Sequence, residues 1–128
     1  MNVVLDTNVL VSSQITQTGN PAQIVQRVLG GELTACYSHT ILHEYTVVLK
    51  RRQFHLSEKN NAALLDGVTR TGIYISNWNT SDIVFVDETE RKFYEVAKQT
   101  GAILITGNTK HYPDDPLVMT PAQFLADY

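Results

Sequence analysis

The sequence predicts an α/β fold built on a mainly parallel sheet. Three observations point there. The chain opens with an unbroken apolar run, Val3-Val4-Leu5, that passes straight into Asp6-Thr7-Asn8. A second such run, Ala102 to Ile105, passes into Thr106-Gly107-Asn108. Short β-like pieces alternate with segments whose apolar residues recur at helical spacing. Continuous apolar runs bounded by polar residues read as strands buried on both faces. Alternation with helices implies parallel pairing through right-handed crossovers.

Each element has its own signal. After the first strand, Val9-Leu10-Val11 is apolar again, and Ser12 to Asn20 reads as a polar connection. Asn20 is the expected cap of a helix whose first turn holds Pro21 and which Gly30-Gly31 stops. Leu33 to Tyr37 is a second strand. Ser38 caps a helix with the stripe Ile41, Leu42, Tyr45, Val48 and Leu49, ending in Lys50, Arg51 and Arg52 against its negative pole. Ser57 opens a further helix to about Thr71, with Leu64, Leu65 and Val68 inward. Ile73 to Ile75 and Ile83 to Val86 are β-like pieces around Trp78. Asp87 to Thr100 reads as a helix closed by Gly101, and Leu117 to Met119 as a last strand. Thr120-Pro121 starts the closing helix.

Composition bounds the function. With 128 residues the chain is expected to form one domain over 1–128, burying roughly 70% of the surface its unfolded form exposes. A net charge of −3 provides no general basic field to recruit nucleic acid. The single cysteine, Cys36, excludes an internal disulfide and suits a reducing compartment. No apolar run reaches the length of a membrane span, and no signal peptide precedes the first strand, so a cytoplasmic protein is expected. Histidines 39, 43, 55 and 111 lack a metal-binding spacing with cysteine, which argues against zinc.

Several acids then compete for a role at the carboxyl edge of the sheet, where ligands bind in open α/β folds. Asp6-Thr7-Asn8 is either a turn or the start of a site, since all three residues favour turns. Glu44 lies between core-facing Leu42 and Tyr45 and has no Lys or Arg three or four residues away. An intrahelical ion pair is thereby disfavoured and a functional acid favoured. Asp87-Glu88-Thr89-Glu90 contains a capping box, Asp87 with Glu90, yet three acids in four residues exceed what capping needs. Asn108 is able to ligate a cation through its carbonyl oxygen. Tyr112 to Pro116 reads as a rigid exposed turn.

Asp6, Glu44, Glu90 or Asp87, and Asn108 thus bring oxygen ligands from separate elements to one edge. Two carboxylates about 4 Å apart repel by about 4 kcal/mol at an effective dielectric of 20, so a cation is expected among them. An all-oxygen set selects Mg²⁺ or Mn²⁺, which activates water and stabilises charge on a phosphoryl oxygen.

The opening VVLDTNVLVS, the acid of the second long helix, ETERKFYEVAKQTGAILITGN and the closing TPAQFL together resemble the PIN domain family. Within it the chain is most similar to the small bacterial and archaeal members assigned as toxins of toxin–antitoxin pairs. The resemblance spans essentially the whole chain. It implies a flavodoxin-related, three-layer α/β/α sandwich and a metal-dependent ribonuclease acting on single-stranded RNA. It also implies a cognate antitoxin partner and a homodimer. On the family pattern Asp6 matches the first acid, Glu44 the second and Glu90 the third, with Asp87 beside it. Asn108 stands where many members have a fourth aspartate. Thr7, Asn8 and Thr106 match the supporting polar positions. Two departures bear on activity: Glu90 is longer than the usual aspartate, and Asn108 removes a charge.

The expected site therefore has Asp6, Glu44 and Glu90 converging within the span of one hydrated ion, with Asn108 facing the same cleft. Lys50, Arg51, Arg52, Lys110 and His111 are candidate contacts for RNA phosphates, although solvated helix ends explain those charges equally. A haloacid dehalogenase-type phosphatase is the rival enzyme class. It needs a second aspartate two residues after the first, and Asn8 stands there. A PIN scaffold that binds RNA or protein without turnover is the other alternative.

Overall fold

The computed structural model describes residues 1–77 and 82–128; Trp78 lies outside the described residues. Five strands pair in parallel: β1 (Asn2–Leu5), β2 (Thr34–Tyr37), β3 (Ile73–Tyr74), β4 (Ile103–Ile105) and β5 (Val118–Met119). Their order is β3-β2-β1-β4-β5. The sheet is wholly parallel where a mainly parallel one was expected. β1 lies at its centre, with Val3 in register with Ala35 on one side and Ile103 on the other. Val3, Val4 and Leu5 are buried, as a central strand covered on both faces requires.

The helices among the described residues are α1 (Thr7–Ile15), α2 (Asn20–Leu29), α3 (His39–Leu49), α4 (Glu58–Thr71), α5 (Arg91–Thr100) and α6 (Pro121–Asp127). α5 packs across β1, β2 and β4, while α2 packs against α1, α4 and α6. The result is a three-layer α/β/α sandwich. Among the described residues no helix is long and apolar enough to cross a membrane.

The caps fall largely where the sequence puts them. Ser38 accepts the Ile41 N–H, Ser57 accepts the Asn60 N–H, and Thr120 with Gln123 forms a complete capping box. Gly101 ends α5 with φ of 68°, a left-handed conformation that suits glycine. Cys36 is buried in β2, a small apolar residue of the core.

Four expectations need correction. The segment after Asp6 is the helix α1, where a loop was expected to begin soon after Val11. Val9, Leu10 and Val11 are all buried because α1 packs on both α2 and α3, so it carries no single apolar stripe to read. Gly19, not Asn20, caps α2. Ile83 to Val86 joins no strand pairing among the described residues. Only Phe85 of that segment is buried, wedged against the rings of Tyr94 and Tyr112, while Val84 and Val86 face solvent. The turn from Asp87 is a 3-10 turn, Glu88–Glu90, that precedes α5.

Candidate active site

The strand order reverses direction between β1 and β4. Connections from β1 lead outward to β2 and β3, and those from β3 cross back to β4 and β5. The carboxyl ends of β1 and β4 therefore flank the crevice where open α/β sheets bind ligands. Asp6 leaves β1 and Thr106 leaves β4 at this point.

Asp6 is buried and does two things at once. Its Oδ1 accepts the Asn8 N–H at 3.4 Å as the N-cap of α1. Its Oδ2 accepts the hydroxyls of Thr106 and Tyr112, each at 2.9 Å. Burial pushes its pKa up, the Tyr112, Thr106 and Asn8 hydrogen bonds pull it down, and the charge of Glu44 adds to the rise. The net direction is upward. Beneath it, Tyr45 is fully enclosed on α3 and donates its hydroxyl to the Leu5 carbonyl, fixing α3 to the end of β1.

Glu44 reaches the crevice from α3. One carboxylate oxygen accepts the Thr7 hydroxyl. The other pairs with Lys92 Nζ at 2.7 Å. The absence of a base one turn away along α3 thus does not leave Glu44 unpaired, because α5 delivers the lysine.

Glu90 stands at the first boundary of α5 without a side-chain cap bond, and its Oε1 accepts from His111 Nδ1 at 3.0 Å. Burial and the charge of Asp6 raise its pKa against the pull of His111. Asp87 is exposed and spends its carboxylate on Thr89, accepting the N–H at 2.9 Å and the hydroxyl at 2.7 Å. Those bonds hold its pKa below the usual carboxylate value. The capping box expected of Asp87 with Glu90 is not formed. In a 3-10 turn the cap reaches the nearer Thr89 N–H, which leaves Glu90 to face the crevice.

Thr106 Oγ1 also accepts the Asn108 N–H at 3.0 Å, and Asn8 Oδ1 accepts the Gly107 N–H at 3.0 Å. The first bond closes the loop after β4 on itself, and the second ties that loop to the first turn of α1. The amide nitrogen of Asn108 lies 3.0 Å from the His111 ring nitrogens.

Each of the three acids is held by its own donors: Asp6 by Thr106 and Tyr112, Glu44 by Thr7 and Lys92, and Glu90 by His111. Among the described residues no three His, Cys, Asp or Glu side chains gather into a cation-holding cluster. Carboxylate oxygens of this kind suit a hard divalent cation, and the charge of Glu44 raises the pKa of Asp6 while that of Asp6 raises the pKa of Glu90. A cleft of about 1140 Å³ opens from Thr7, Asn8 and Glu44, and its wall includes Arg51 and Lys92. Lys50, Arg52 and Lys110 are exposed. His111 pairs with Glu90 at 3.0 Å.

The PIN domain family model matches residues 2–110. The chain belongs to the PIN domain family. This PIN domain is 32% identical over 111 residues to the uncharacterized protein MJ1680 of Methanocaldococcus jannaschii, covering 84% of this chain and 71% of that protein. Its fold is similar to that of VapBC2 from Rickettsia felis, solved bound to a DNA fragment from their promoter. That match has a TM-score of 0.57 and 18% identity, and covers 94% of this chain and 97% of the other.

Two residues that hold these acids escaped sequence reasoning. Tyr112 sits in the stretch expected to be an exposed turn, yet it is buried over Asp6. Its aromatic ring before Pro113 was the one available signal. Lys92 had no local signal, since its partner lies on another helix.

Proposed function

We propose that this PIN domain is a Mg²⁺- or Mn²⁺-dependent endoribonuclease cleaving single-stranded RNA, and the toxin of a toxin–antitoxin pair. Membership of the PIN family and the likeness to a VapBC2 fold support the reading. The observation that carries it is a buried Asp6 at the sheet's switch point, coupled through its charge to Glu44 and Glu90. Acids so placed are costly unless a cation accompanies them.

Asp6, Glu44 and Glu90 would hold the ion, with Asn108 completing the set through its carbonyl oxygen. When bound, the ion supplies an activated water and stabilises charge on the phosphoryl oxygen. The chain's own residues orient that chemistry. Thr106 and Tyr112 fix the Asp6 carboxylate, Thr7 fixes Glu44, and His111 holds Glu90 through Nδ1 and accepts the Asn108 amide at Nε2. Arg51, in the cleft wall, is a contact for RNA phosphates, with Lys50, Arg52 and Lys110 further out. A cognate antitoxin protein, a homodimer and a cytoplasmic setting belong to the same reading.

The test is incubation of single-stranded RNA with Mn²⁺ or Mg²⁺, with and without chelator. Cleavage should require the ion and vanish in Asp6→Asn. A second reading, a scaffold that binds RNA or protein without turnover, is favoured by the Glu44–Lys92 pair and the uncharged Asn108. Metal binding without cleavage would select it.

A further inference from the structure

We propose that Lys92 is a tethered cation that occupies Glu44 and competes with the divalent ion for that carboxylate. It thereby sets the ion concentration at which the site loads. The inference rests on the metal-site reading above.

The geometry is specific. Lys92 Nζ stands 2.7 Å from Glu44 Oε1, and the same ammonium donates to the Thr89 carbonyl of the 3-10 turn before α5. The other oxygen of Glu44 is engaged by Thr7. Both carboxylate oxygens are therefore occupied by donors of the chain. The two side chains are 17% and 25% exposed, so water screens the pair less than it does a fully exposed one.

An ammonium and a hard divalent ion seek the same carboxylate oxygens. To use Glu44, the ion must either displace Nζ or sit beside a fixed positive charge. Both weaken its binding. Lysine suits the role because its charge rides on a flexible four-carbon stem and can withdraw. The neighbouring base Arg91 is directed elsewhere, pairing with Glu88 at 2.6 Å and approaching Glu95 at 3.9 Å. Among the basic residues paired in the described structure, Lys92 is the one that meets an acid matched to the metal site, His111 aside.

Mn²⁺ binding would be measured by calorimetry on the full chain. The variants are Lys92→Gln, Lys92→Met, Lys92→Arg, Lys59→Gln and Asp6→Asn. Either neutral variant at position 92 should tighten Mn²⁺ binding about tenfold, a screened remnant of one ion pair. Lys92→Arg, which keeps the charge, and Lys59→Gln, which removes an exposed base of α4, should stay within about twofold of wild type. Asp6→Asn should abolish binding. Unchanged or weaker binding in both neutral variants, with binding lost in Asp6→Asn, overturns the proposal and leaves the metal site standing. Equal tightening in Lys59→Gln also overturns it, because the effect would then be a general field. Undiminished binding in Asp6→Asn removes the metal site itself, and the proposal with it.

Discussion

The Tyr112 hydroxyl lies 2.9 Å from Asp6 Oδ2, joining residues 106 positions apart at the sheet's switch point. Burial and the charge of Asp6 together push the Tyr112 pKa upward, so it remains a donor across the working pH range. The same bond pulls the Asp6 pKa down against the rise that burial causes.

Tyr112→Phe tests that dependence. Removing a buried hydrogen bond to a charged group should cost about 1.5–3 kcal/mol of stability. It should also raise the Asp6 pKa further. Thermal melts with and without Mn²⁺ check both effects, the metal-induced shift being smaller in the variant at neutral pH.

Asp6→Asn should act in two directions. The folded-state pKa of Asp6 is raised, so the stability tied to its neutral form is fully present below its unfolded value of 3.8. That stability is lost as pH rises through the folded value. At neutral pH the variant should therefore melt higher than wild type without metal. The gain should shrink as pH falls through the folded pKa. The same variant should lose most of the melting shift that Mn²⁺ produces by binding only the folded state.

At the start of α5, Glu90→Gln and Asp87→Ala should separate. Asp87 caps the 3-10 turn through Thr89, so its loss should lower the melting temperature and spare much RNA cleavage. Glu90 faces His111 and feels the charge of Asp6, so its neutral variant should leave the metal-free fold at least as stable and remove cleavage. The reverse pattern would move the third ligand to Asp87.

Asp115 anchors the loop that carries Asn108, His111 and Tyr112. It accepts from Tyr94 at 2.8 Å, Lys98 at 2.9 Å and the Leu117 N–H at 2.9 Å. Burial pushes its pKa up, but these bonds outweigh it and hold the value below 3.8. Stability from a lowered acid is present above its unfolded pKa and lost as pH falls through the folded one. Asp115→Asn should melt below wild type at neutral pH. The difference should close as pH drops below 3.8, which a series of melts across acid pH would follow.

The sequence by itself determined the parallel sheet, the caps Ser38, Ser57 and Thr120, and the place of Asp6 at the carboxyl end of β1. Those features follow from local rules: apolar runs make buried strands, short polar residues cap helices, and a strand's end places the next residue at the ligand edge. Tertiary structure decided the rest. α1 hides its apolar residues between two helices and shows no periodic stripe. Glu44 finds Lys92 on α5, a partner that no spacing along α3 announces. Tyr112 turns inward because Asp6 needs a donor and Phe85 supplies an aromatic wall. The acids' positions are set by strand order, but the donors that hold them come from distant segments, and only packing brings those segments together.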